Sequence, residues 1–189
     1  MSFQISNIKS ASLYGSKNVL KNDMAERYLN KLFVAMKENN EEEISVCIEG
    51  LANLDIRSQN IDHYITELVK YENPDISSLA AWAAGRLGIK EAVPELINML
   101  KNKDDNVFSS AIIALGKIGD ERAVNPLLFS LDRKNMYQDQ FISIIRSLGE
   151  IGSKKALRTL LYISNDKQQP VKIQSAAKSA VDKIKENNK

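Results

Sequence analysis

His63, Cys47, two Gly-x-x-Gly pairs and a group of cations around Phe129 and Tyr162 are the residues of this chain whose types and spacing could support chemistry. A lone histidine cannot assemble the paired His-Glu or His-Cys ligands of a metal cluster. His63 also falls on the polar side of a predicted helix, where a solvated surface residue is the simpler reading than a catalytic base. One cysteine cannot form an internal disulfide. Gly85 with Gly88, and Gly116 with Gly119, have the spacing of a phosphate cradle, but no strand precedes them. Each pair stands at a helix end, and the second glycine of each is accounted for as a helix C-cap. The pattern therefore assigns no catalytic, cofactor-binding or metal-ligating residue.

The elements that carry these residues repeat. Ala111 to Val124 (AIIALGKIGDERAV) has close copies at Ala80 to Val93 and Ile144 to Leu157, phased by Gly88, Gly119 and Gly152, which stand 31 and 33 residues apart. That period belongs to stacked supersecondary units. Within the central copy, Val107, Ala111, Ala114, Leu115 and Ile118 form the apolar stripe of a first helix, Gly119 ends it, and Asp120 caps the start of the next helix. Val124, Leu127, Leu128 and Leu131 then mark that second helix, so each unit is a helical hairpin. Two weaker copies align at Cys47-Leu51-Leu54 and Ala177-Val181-Ile184, giving roughly five. Cys47 shares its column with Ala80, Ala111, Ile144 and Ala177, which makes it a packing residue.

Ahead of the repeats, residues 1–22 show no sustained apolar period and read as a loose arm or an end cap, with the repeat domain over 23–189. Asp23 is the expected N-cap of a helix over 24–38. An acidic helix start comes next at 41–43, then paired helices over 43–54 and 61–71, in which Ile61, Ile65, Leu68 and Val69 face inward. Asn73-Pro74 opens the next pair, and Pro170 opens the final helix at Val171.

With an Ala-rich helix, Leu-Gly-x-Ile-Gly, and Ala-Val-x-x-Leu, the chain resembles the HEAT-like repeat family in its phycobiliprotein-lyase-type bacterial form. The likeness spans residues 41–185 and is strongest from Ala80 to Asp132; at Asp55 an aspartate stands where the turn glycine would be. The resemblance implies an all-α, right-handed α-α superhelix of about five hairpins, used mostly to bind other proteins, with second helices lining the concave side. The di-iron enzymes of this family need several His-Glu pairs and are excluded.

Two surfaces emerge from the columns. On the second helices, Phe129 and Tyr162 are equivalent residues of successive repeats, flanked by Arg122, Lys155 and Arg158. They are either anchors for a partner or fillers between adjacent helices. On the first helices, Trp82 and Ile113 occupy an outward column with Glu49, Arg146 and Ser179, as a contact patch or as partly buried edge residues. The expected function is that of a non-catalytic scaffold or regulator binding a polypeptide. The alternatives are a nucleic-acid-binding protein of the DNA glycosylase-like kind and a lyase-type chaperone acting on a tetrapyrrole-carrying protein.

Composition agrees with this reading. At 43% apolar and 26% charged the chain reads as ordinary globular protein, and its net charge is only +2. The charge is uneven: residues 1–100 hold ten Lys and Arg against fourteen Asp and Glu, and residues 101–189 hold sixteen against ten. A pI near 8.5 with interleaved acids falls short of a concentrated nucleic-acid stripe. With neither a secretion signal nor a membrane-length apolar run, a cytoplasmic location and no membrane partner are expected. Leu115, at the centre of the central stripe, supplies the test of this architecture. Leu115→Asp should lower stability by roughly 3 kcal/mol or more by burying an unpaired carboxylate, read as loss of helical circular dichroism in mild urea.

Overall fold

In a computed structural model, the structure describes residues 4–189, with side chains from Asn18 onward. The described residues form ten α-helices and no strand, so the all-α expectation holds. They divide into two compact units, one ending at Ile61 and one running from Asp62 to Lys189.

The first unit pairs α1 (Gln4–Glu38) with α2 (Glu41–Leu54). Helix α1 does not begin at Asp23 as expected. Asp23 lies inside it and pairs with Arg27 one turn on, at 3.0 Å. The missing apolar period has a simple meaning, because every side chain from Asn18 to Met24 is exposed. That stretch is helical without a buried face, and periodicity reports burial, not helicity. Residues 1–3, and the side chains of 4–17, through which an arm or cap would act, lie outside the described residues. From Ala25 on, α1 buries Ala25, Leu32 and Ala35 against Ile44, Cys47, Ile48 and Leu51 of α2. The Asn40 side chain caps α2 by accepting from the Glu43 N–H at 3.1 Å, and Asp55 ends it in the left-handed region at φ 54°. Aspartate tolerates that conformation better than most residues, which is how this copy dispenses with the turn glycine. Burial, with the Glu43 charge adding to it, pushes the Cys47 thiol up to about 11.

Helix α3 (Gln59–Leu68) leads from the first unit into the second, which continues through α4 (Pro74–Leu87), α5 (Val93–Met99), α6 (Asp105–Ile118), α7 (Val124–Ser130), α8 (Gln138–Ile151), α9 (Leu157–Asn165) and α10 (Val171–Asn187). First helices α4, α6, α8 and α10 stack in order, and α5, α7 and α9 each pack on the first helix that comes after. Asn73 caps α4 with Pro74 in its first turn, and the stripe from Val107 to Ile118 is buried as expected. Each of the second helices α5, α7 and α9 begins after the turn and not at its capping residue. A 3-10 turn precedes it, at Lys90–Ala92, Glu121–Ala123 and Lys154–Ala156. In α7 only Val124 and Leu127 are fully buried, while Leu128 and Leu131 are half-buried.

The first glycine of each Gly-x-x-Gly pair, like Gly149, which stands before Gly152 at the same spacing, has a role that local sequence does not supply. A Cβ on Gly85 would lie 2.8 Å from the Ala114 Cα, one on Gly116 2.7 Å from the Ser147 Cβ, and one on Gly149 2.8 Å from the Ala180 Cβ. Successive first helices therefore touch nearly backbone to backbone, and the contact repeats at every step of the stack. Ser147 is buried there and donates to the Ile112 carbonyl at 2.9 Å, so its hydroxyl is satisfied without water.

Two outcomes check this packing. Gly116→Val should lower the unfolding free energy by about 2 kcal/mol through forced separation of α6 and α8, measured by urea titration. Cys47 should resist a thiol-reactive dye at neutral pH until denaturant is added, since thiolate is the reacting form.

Candidate functional site

The turn edge of the second unit is built by the residues after each C-capping glycine. Gly119 adopts φ 71°, and Asp120 behind it caps the 3-10 turn through the Arg122 N–H at 2.9 Å. The same carboxylate holds the Arg122 guanidinium by two further hydrogen bonds, both 2.9 Å. Arg122 also donates to the Lys90 carbonyl in the preceding repeat at 2.9 Å. Glu121 repeats the arrangement one step on, accepting from the Ser153 hydroxyl at 2.9 Å with the Lys155 ammonium 3.4 Å away. Hydrogen bonds from Arg122 hold the Asp120 carboxyl down to about 2, against the upward push of partial burial. The Ser153 hydroxyl and then Lys155 lower that of Glu121.

These pairs add partners that the sequence reading did not name. Arg122 and Lys155 are exposed, yet both are tied to acids of the same edge and are not free cations. Asp120 and Glu121 went unrecognised as their partners. The available signal was positional, because Asp120 and Ser153 occupy the same capping column one repeat apart. Arg158, in the first turn of α9, is exposed and makes no ion pair among the described residues.

On the second-helix face, Phe129 and Tyr162 are 77% and 72% exposed. They do not fill gaps between helices. Each stands at the same position of successive second helices, α7 and α9. Beside Phe129 lies an open hollow of about 600 Å³ between α5 and α7, which sequence reasoning missed. On the first-helix face Ile113 is 46% exposed, whereas Trp82 is half-buried with the Arg86 guanidinium 5.8 Å from its ring centre. The expected site residues are therefore distributed over three places: the turn edge, the second-helix face and the first-helix face.

His63 is exposed on α3, 5.4 Å from the Tyr64 ring. Among the described residues no group of three or more His, Cys, Asp or Glu side chains stands close enough to hold a metal ion. Among the same residues no helix is long and apolar enough to cross a membrane.

Residues 61–138 match the family profile of HEAT repeats. No curated protein matches the chain in sequence. Among solved structures, it is similar to a chain in the complex of CpcE and CpcF of phycocyanin lyase from Nostoc sp. PCC7120, with a TM-score of 0.71 at 20% identity. That match covers 86% of this chain and 65% of the other, just under two thirds of its length. It is also similar to an engineered protein solved by the Northeast Structural Genomics Consortium, with a TM-score of 0.63 at 16% identity over 90% of this chain and 83% of that one. At such identities the likeness concerns the fold alone.

The turn edge sets a pH dependence. Asp120 and Glu121 titrate lower in the folded state than in the unfolded chain, where carboxyls have pKa values near 4. Between about pH 4 and pH 2 the unfolded state binds more protons, so the stability these groups contribute above pH 4 is lost as pH falls. Asp120→Asn should be less stable than wild type at neutral pH and lose less on acidification through that window, measured by urea midpoints at each pH.

Proposed function

We propose that this all-α chain, whose residues 61–138 match HEAT repeats, binds a polypeptide on its second-helix face and acts as a non-catalytic scaffold or regulator. The observation that carries the reading is the exposure of Phe129 and Tyr162 at equivalent positions of successive repeats. Large aromatic rings in water are unfavourable unless something covers them, and at interfaces they are the usual anchors. A ligand running along the face would meet them one repeat apart. Arg158, with the partly neutralised Lys155 and Arg122, supplies charge at the rim, where it affects association rate more than affinity.

A second reading is favoured by the likeness to a chain of the CpcE and CpcF complex of phycocyanin lyase: a lyase-type chaperone acting on a tetrapyrrole-carrying protein. Co-purification with a coloured tetrapyrrole protein is the outcome expected under that version. Nucleic-acid binding is disfavoured, because Asp120 and Glu121 interrupt the basic edge at Arg122 and Lys155.

The test is affinity capture with wild type beside the Phe129→Ala/Tyr162→Ala double variant. Losing both rings should weaken partner binding more than tenfold, at about 2 kcal/mol per buried anchor, with the helical spectrum unchanged. Reversing Lys155 or Arg158 should matter mainly at low salt. Partners retained equally by the double variant, and lost on changing Trp82 and Ile113, would move the function to the first-helix face.

A further inference from the structure

The hollow beside Phe129 differs in chemistry from the rest of the second-helix face. Its apolar wall is Ile97 and Leu100 from the α5 side and Pro126 and Phe129 from α7. Its charged lining is Lys101, Lys103 and Arg133, with no carboxylate. Arg133 is committed within the protein: its guanidinium lies 4.1 Å from the Phe108 ring centre, donates to the Asn102 carbonyl at 2.7 Å and stands 3.5 Å from Asp105. Lys101 and Lys103 are exposed, and among the described residues their ammonium groups have no ion pair. They face solvent at the mouth of an apolar depression without a counter-charge.

The next step of the stack lacks this combination. In the columns set by the glycines, Asp132 stands where Lys101 stands in the earlier repeat, and Asp166 where Arg133 stands. The cationic, carboxylate-free rim therefore belongs to the step from α5 to α7 alone among the two that carry an exposed aromatic ring. An apolar wall with uncompensated lysines is complementary to an apolar side chain flanked by acids. A purely apolar partner leaves the lysines unanswered, and a purely anionic one leaves Phe129 bare.

We propose that this hollow is the specificity pocket of the second-helix face: it takes one large apolar side chain from an acidic polypeptide segment, with Phe129 against that side chain and Lys101 and Lys103 against its neighbouring carboxylates. This rests on the polypeptide-binding reading given above and adds the class of partner and the place where it is read. Tyr162 then serves as a separate contact further along the same ligand, outside the pocket.

The test uses the full chain and a fluorescently labelled synthetic peptide with one tryptophan flanked by glutamates, read by anisotropy. Control peptides replace the tryptophan by serine or the glutamates by lysines. Protein variants are Lys101→Glu/Lys103→Glu, Phe129→Ala and Tyr162→Ala, each shown to be folded by circular dichroism. The Glu-Trp peptide should bind, and binding should fall at least tenfold for either control peptide, for the lysine reversal and for Phe129→Ala. No binding at about millimolar peptide, the weak end of measurable affinity, overturns the proposal. So does binding that ignores both the tryptophan and Phe129, which would be plain charge attraction of the kind an oligonucleotide also shows. A concentration-dependent dimer that dissociates on Phe129→Ala would assign the hollow to a second copy of the chain instead. If Tyr162→Ala alone abolishes peptide binding, the face reading stands and the pocket is wrong. If captured partners survive the Phe129→Ala/Tyr162→Ala double variant, the face reading itself fails.

Discussion

Backbone contact between successive first helices sets the geometry of the second unit. At Gly85 with Ala114, Gly116 with Ser147, and Gly149 with Ala180, the residues are small because nothing larger fits between the helices. Three equivalent contacts fix the separation of α4, α6, α8 and α10, and that separation fixes where each second helix lands. The exposed columns of α7 and α9, and the hollow beside Phe129, are consequences of this spacing. Interiors packed to this density respond to an added methyl group by moving helices, so a change at a buried glycine is transmitted to the outer face.

Much of this could be read from the sequence, and the parts that could not share a cause. Helix-turn-helix units, the phase glycines and the buried stripes are local, periodic features, and they were visible. Gly116 was not explained by its own neighbourhood, because its constraint comes from Ser147 some thirty residues away. The ion pair of Arg122 went unread for a related reason. Its partner Asp120 is two residues distant, but the geometry that brings them together requires the 3-10 turn, and periodic patterns do not encode such turns. At α1 the error ran the other way. An apolar stripe marks a face against the core, and a helix whose side chains are all in water from Asn18 to Met24 has none to show.

The candidate surface was legible in position and not in form. Column alignment placed Phe129 and Tyr162 outward, and they are outward. The depression beside Phe129 depends on how far α5 stands from α7, a distance no single column carries. Lys101 and Lys103 lie in the connection between repeats, where a pattern search has no period to track.

Seven side-chain hydrogen bonds that join one repeat to another in the second unit share a direction. Arg122 donates to Lys90, Arg133 to Asn102, Gln140 to Asp105 and Ser109, Ser147 to Ile112, Ser153 to Glu121, and Asn188 to Gly152. In each the donor comes later in the chain, and the acceptor belongs to the repeat before. A ribosome delivers residues in that same order, and N-terminal segments fold first during synthesis. In these bonds the segment made later brings the donor, and the acceptor it meets belongs to chain already made.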